Sequence, residues 1–248
     1  MRPIQTMFTP FQIASRPQSS LALLVLAALT ILAPAARAQT GDTMHAVTYL
    51  EVAAGSVSQG VELIKKFRDT ARRDAANLEF NILREAGRPN RFVIFEGWKD
   101  KAAFDAYDKG AAAAEFQETL KQIRNSPPDR HMLLPHANAR SEIIPLGSLY
   151  MIEHVDFLGG DPAIASAAAP LILALAEASR KEPAALRYEV FRQPPPRGNH
   201  YEVVAAWPDA KAFEAHEAAP HTMQFRFASG QALVWRCNLY DQRFYEAL

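Results

Sequence analysis

A single cysteine, Cys237, in 248 residues excludes an intramolecular disulfide framework and any zinc site assembled from several thiolates. Charge of one sign is also missing. The chain carries 27 basic and 27 acidic side chains, so it has no basic field with which to hold nucleic acid by its phosphates. No glycine-rich phosphate loop follows a strand, no C-x-x-C-H marks covalent haem attachment, and there is no nucleophile elbow. Apolar residues, by contrast, are plentiful. A hydrophobic content of 49%, with 14 Phe, 7 Tyr and 3 Trp, is enough to pack a core and excludes a disordered chain.

Residues 1–38 have a composition of their own: no acidic residue, and three arginines, Arg2, Arg16 and Arg37. Between Leu21 and Leu32 runs LALLVLAALTIL, the length of a signal-peptide apolar region and short of the roughly 20 residues a spanning helix needs. Pro34 ends it, and Ala36-Arg37-Ala38 supplies the small-x-small pattern of a cleavage site. The expectation is cleavage after Ala38 and export to the periplasm or beyond, with no stable membrane span left. Three arginines leave with the leader, so the basic count falls to 24 against 27 acidic residues.

The rest reads as one unit written twice. In the first half, 45–52 is a strand. A candidate capping box (Ser56, Gln59) opens a helix with Val57, Val61, Ile64, Phe67 and Ala71 at helical period. Residues 77–85 and 91–98 form a hairpin about Gly87-Arg88-Pro89-Asn90, Asp100 caps a helix bearing Phe104 and Tyr107, and 131–137 closes the unit. The second half repeats the order. It has a strand at 149–157 and a helix opened by Asp161-Pro162, with its stripe at Ile164, Ala168, Leu171, Leu175 and Ala178. Strands at 185–193 and 200–207, a short helix with Phe213 and His216, and a last strand at 235–244 follow. Trp98 precedes Phe104, Tyr107 and Phe116 by the same intervals that separate Trp207 from Phe213, His216 and Phe225. Two tandem β-α-β-β-α-β units of ferredoxin-like order result, an α+β chain with domains at 44–139 and 148–248 and a linker at 140–147.

These segments resemble the antibiotic biosynthesis monooxygenase family of dimeric α+β barrels. The resemblance is carried by Phe95-Glu96-Gly97-Trp98-Lys99-Asp100 and Ala102-Ala103-Phe104 in the first unit. In the second it is carried by Ala206-Trp207-Pro208-Asp209, Ala212-Phe213-Glu214-Ala215-His216 and Pro220-His221-Thr222-Met223-Gln224-Phe225. It implies a barrel closed within one chain, so that this monomer equals a relative's dimer. It also implies an oxidation of a quinol or polycyclic phenol by O2 without flavin or nicotinamide. The alternatives are a non-catalytic module holding a small apolar ligand or a partner, and a haem-degrading monooxygenase, although no motif supports haem. The expected partner is a small aromatic molecule.

The two units are not equivalent. Glu96 corresponds to Ala205, and His216 corresponds to Tyr107, which makes the second unit the candidate for chemistry. There His216 is the expected base, since a neutral imidazole can take a proton from a phenol, with Trp207 as an aromatic wall and His221 close by in sequence. His154, Tyr188, Phe213 and Phe225 are candidate substrate contacts. His154 shares a strand face with Tyr150 and Ile152, and its role depends on whether that face lines a pocket. Five residues separate His216 from His221, which on an unbroken helix denies them a common face unless Pro220 interrupts it, so no metal is expected. Glu96, on an apolar face, needs a partner, and an arginine is the expected one. Cys237 reads as a small core residue. A cavity of a few hundred cubic ångströms beside His216 would favour an enzyme, and a filled space there the binding module.

Overall fold

The computed structural model describes residues 43–136, 144–157, 162–233 and 241–248. The expected leader, residues 140–143 of the linker, and Trp235 to Tyr240 with Cys237 lie outside the described residues. The first repeat runs β1 (Met44–Glu51), a single 3-10 turn, α1 (Val57–Ala71), β2 (Asn77–Glu85), β3 (Arg91–Trp98), α2 (Lys101–Asp108), α3 (Ala111–Lys121) and β4 (Asp129–Pro135). The second runs β5 (Leu149–Asp156), α4 (Pro162–Ser179), β6 (Arg187–Arg192), β7 (His200–Trp207), α5 (Ala210–Glu217), α6 (Pro220–Leu233) and β8 (Asp241–Ala247). The hairpin strands fall where alternation places them, because a half-buried strand must present apolar residues at period two.

The eight strands close into one antiparallel barrel in the order β1-β3-β2-β8-β5-β7-β6-β4. Each repeat supplies four neighbouring strands. The seams pair β2 with β8, with Leu83 opposite Ala247, and β4 with β6, with Leu134 opposite Arg192. A ferredoxin-like sheet has two open edges, and each repeat covers the other's, which removes the template for edge-to-edge association. The tryptophans mark equivalent ends: Trp98 pairs with Met44 and Trp207 with Leu149.

Several local expectations change. Asp100 does cap its helix, accepting the Ala103 N–H at 2.8 Å, and in the second repeat Asp209 accepts the Ala212 N–H at the same distance. Ser56 does not: its side chain makes no capping bond, because the 3-10 turn Ala54–Ser56 precedes α1. The buried residues of α4 include Ile172, Leu175, Ala176 and Ser179, so the helix is turned by about one position from the expected stripe. Ile164 and Ala168 belong to a stretch whose side chains are not described. Of the expected last strand, the part from Asp241 lies in β8, and residues 235–240 lie outside the described residues.

Period two sorts the strand residues onto two opposed faces. Outward residues pack under helices as two separate cores, one around Phe67, Phe80, Phe92, Trp98 and Phe116, the other around Tyr188, Tyr201, Trp207 and Phe225. Inward residues, among them Val47, Leu83, Phe95, Leu133, Ile152, Phe191 and Val204, fill the lumen. Glu96 faces outward, and the partner it finds is not an arginine: Trp98 Nε1 donates to its Oε2 at 2.8 Å. Arg130 goes to Asp108 instead. In the second repeat the glutamate is replaced by Ala205, and the buried Trp207 Nε1 has no hydrogen-bond partner among the described residues. Leaving such a donor unmet costs about 1–3 kcal/mol, a concrete price for the divergence of the two copies.

Candidate functional site

The inward residues form layers along the barrel axis. At one end β2 and β6, on opposite sides of the barrel, send Glu79 and Arg187 across the lumen. Arg187 donates to both oxygens of Glu79 at 2.9 and 3.1 Å, and its Nε donates to Glu189 at 2.7 Å. Its guanidinium also lies 4.8 Å from the centre of the Phe95 ring. His45 completes the plug, 3.6 Å from Glu79. A Cβ at residue 97 would stand 2.9 Å from the His45 ring, so only glycine leaves that imidazole its place. The middle layer is apolar, and this end of the barrel is closed.

The other end opens into a cavity of about 370 Å³, within the range that holds a small organic ligand. Tyr49 of β1, His131 of β4, His154 of β5, and Arg243 and Tyr245 of β8 border it. Beneath them lies Glu202 of β7, which has no exposed surface. Tyr49 donates its hydroxyl proton to Glu202 Oε1 at 2.7 Å, and His154 Nε2 lies 2.7 Å from the Tyr49 oxygen and 3.2 Å from Glu202 Oε1. The tyrosine has one proton, so the bond from His154 must be donated by Nε2–H. That tautomer leaves Nδ1 as the lone pair of a neutral imidazole. Arg243 lies over the Tyr49 ring at 5.7 Å.

Electrostatics point the same way. Burial, then the neighbouring Glu202 carboxylate, push the Tyr49 hydroxyl well above its ordinary range, so it stays a donor. Burial alone would lower the His131 imidazole. Glu202 outweighs it and raises His131 above the ordinary histidine value. His131 Nδ1 faces Glu202 Oε2 at 3.5 Å, and both atoms are buried without a hydrogen-bond partner among the described residues. The arrangement provides a proton acceptor held from behind, beside an imidazole that retains its proton unusually well. The lining is mixed in charge, with Glu51, Glu85 and Asp129 as well as Arg91 and Arg243.

Of the residues singled out from sequence, His154 is the one on this cavity, and the face it shares with Tyr150 and Ile152 is the inward one. Trp207, Tyr188, Phe213, Phe225 and His216 do come together, but on the outward face under α4 to α6. The Trp207 and His216 ring centres are 4.9 Å apart, and those of Trp207 and Phe213 are 5.2 Å apart. The cavity beside His216 measures about 10 Å³, room for one water and not for an aromatic ring. The reason is strand parity: Glu202, Val204 and Ala206 point inward, which turns Trp207 outward. Sequence reasoning passed over Tyr49, His131 and Glu202. The available signal was a lone carboxylate in the otherwise apolar strand HYEVVAAW, on the parity opposite to its tryptophan.

Comparison with known proteins adds a family and a fold. The family model described as antibiotic biosynthesis monooxygenase matches residues 43–119 and 157–226, once in each repeat. Among solved structures, a candidate monooxygenase from Fusobacterium nucleatum superposes with a TM-score of 0.70 at 13% identity, covering 84% of this chain and 94% of that one. A candidate monooxygenase from Lactobacillus acidophilus gives 0.67 at 14% identity with the same coverage. An anthrone oxidase-like protein gives 0.62 at 13%, covering 84% of this chain and 92% of its own. At these identities the likeness is one of fold. A comparison with curated proteins found no match.

Proposed function

Since the chain belongs to the antibiotic biosynthesis monooxygenase family, we propose that it is an exported monooxygenase that oxidises a quinol or polycyclic phenol with O2 inside its barrel. The observation that carries the reading is the Tyr49–His154–Glu202 chain at the edge of a cavity closed at its far end. His154 takes the hydroxyl proton of the substrate, and Glu202, through Tyr49, holds the imidazole in the tautomer that can accept it. His131 and Arg243 stand where they favour the resulting anion. For an anthrone, whose hydroxy tautomer gives the same anion, the atoms balance simply: the CH2 carbon and O2 become a carbonyl and one water. Electron transfer from the anion to O2 precedes formation of the carbon–oxygen bond. The protein's share is deprotonation, orientation and exclusion of water. His216, the base expected from sequence, has no space beside it for such a substrate.

An oxygen electrode tests this directly. The purified chain is expected to consume O2 with at least one member of an anthrone and quinol panel, without added metal or haem. Binding of panel members with no O2 uptake would leave a binding module instead. Appearance of a Soret band and haem breakdown on adding haem would favour haem degradation.

Export rests on the first 38 residues, with their apolar run from Leu21 to Leu32 and their Ala36-Arg37-Ala38 pattern. The protein recovered from a periplasmic fraction is expected to begin at Gln39. An intact mass that retains Met1 through Ala38 would refute it.

A further inference from the structure

We infer that Glu182, His216 and His221 form a binding site for a late first-row divalent cation, zinc above all, on the helical side of the second repeat and separate from the lumen. The three residues come from three different segments. Glu182 lies in the turn after α4, His216 in the last turn of α5, and His221 in the first turn of α6. The five-residue interval between the histidines forbids a shared face on one helix, but α5 ends at Glu217 and α6 starts afresh at Pro220. The break swings His221 back toward His216. Both imidazoles then address the same carboxylate oxygen: His216 Nδ1 is 2.7 Å and His221 Nε2 is 2.6 Å from Glu182 Oε1.

All three donor atoms lie within 4.8 Å of one another. Two imidazole nitrogens and one carboxylate oxygen are the donor set of three-ligand zinc sites, which keep a fourth position for solvent. Metal–ligand bonds of roughly 2.0–2.2 Å put tetrahedral donors about 3.3 Å apart, so the carboxylate oxygen has to retreat by about 0.6 Å from each imidazole, and donors that lie within 4.8 Å of one another have to settle around the ion. Glu182, in a turn and partly exposed, can do that. The His221 side chain keeps about a quarter of its surface exposed, which gives an ion a way in, whereas His216 is buried and fixed. A second observation concerns the surroundings. Thr222 is buried beside His221 in sequence, its hydroxyl has no hydrogen-bond partner among the described residues, and it shares with His216 the cavity of about 10 Å³.

The lumen offers another set of three, His131, His154 and Glu202. There the hydroxyl of Tyr49 already stands between His154 Nε2 and Glu202 Oε1, 2.7 Å from each, and takes the place an ion would need. At Glu182 both imidazoles bond the carboxylate oxygen directly, so an ion would take the place of two protons. The site also explains why the second repeat has histidine where the first has Tyr107, whose hydroxyl donates to the Phe67 carbonyl at 3.2 Å.

The experiment is isothermal titration of Zn2+ into the whole chain after dialysis against a chelator, repeated with Co2+ to read its visible absorption. One equivalent is expected. Loss of an outer-shell partner alone typically weakens metal affinity 10–100-fold, so Glu182→Gln and His221→Gln should each weaken it about a hundredfold or more and abolish the cobalt band. Both side chains are partly exposed, and circular dichroism should show the variants folded. His154→Ala should bind as the wild type does. No saturable binding by the wild type would overturn the inference. So would binding that survives Glu182→Gln and His221→Gln and is lost in His154→Ala.

Discussion

Replacement of Arg187 by methionine should lower the stability of the barrel by about 3–5 kcal/mol, measured as a fall in the urea midpoint at unchanged slope. The side chain is buried, and it pairs with carboxylates from both repeats, Glu79 on β2 and Glu189 on its own strand. Methionine keeps most of the volume, so the loss is electrostatic: two carboxylates remain in the lumen without their cation. The pH dependence identifies the cause. In the wild type, burial tends to raise Glu79, but the Arg187 charge and hydrogen bonds overcome it and hold the carboxyl at about 2. Its depressed value means that its contribution to stability is complete above the ordinary carboxylate range and is lost as pH falls toward 2. Glu189, where burial outweighs Arg187, is raised. Without Arg187, burial and the repulsion of Glu189 by Glu79 oppose only what His45 still offers, so both take up protons more readily, and the deficit of the variant should shrink as pH falls from 7 to 5. Adding Glu79→Gln and Glu189→Gln to Arg187→Met should recover a large part of the loss. A deficit below about 1 kcal/mol, or one that does not change with pH, would mean that the plug is not what holds this end shut.

The fold was legible because two independent periodicities agreed in the sequence. Alternation in NLEFNILRE and RFVIFEGW gave the hairpin, and the equal intervals after Trp98 and Trp207 gave the duplication. Barrel closure followed from the duplication, since each sheet's edges need a cover. The site was legible only in part, because parity within a strand shows that two faces exist and not which one surrounds space. Trp207 and His216 carry the recognisable spacing, yet they pack a helix. Glu202, three residues into the same strand, carries no motif and lies beneath the cavity at the open end of the barrel. Tyr49 and His131 reach it from the other repeat, so no local pattern could join them. The proximity of His216 and His221 was legible only as a condition: a five-residue interval separates them on one helix, and the sequence does not say whether Pro220 interrupts it, as it does here.

The largest effect on activity is expected at His154. His154→Ala should lower kcat for an accepted hydroxyaromatic by about 10²–10⁴-fold, the range typical of a positioned general base, with a smaller change in KM. Tyr49→Phe keeps the ring and removes the hydroxyl that links His154 to Glu202. It should cost less than His154→Ala, because Nε2 of the imidazole still lies 3.2 Å from Glu202. Glu202→Gln should lower activity more than Tyr49→Phe does, since the amide can donate to Nε2 and stabilise the tautomer that cannot accept the substrate proton at Nδ1. It should also remove the carboxylate that raises His131. His216→Asn, on the helical side, should leave kcat within a few-fold. The two faces of the β5–β7 sheet are thereby put in opposition, because strand parity separates them completely. Loss of oxygen uptake in His216→Asn with retention in His154→Ala would move the chemistry out of the lumen. The reverse pattern, with a substrate of more acidic hydroxyl still turned over by His154→Ala once pH exceeds that hydroxyl's pKa, would identify His154 as the group that removes the proton.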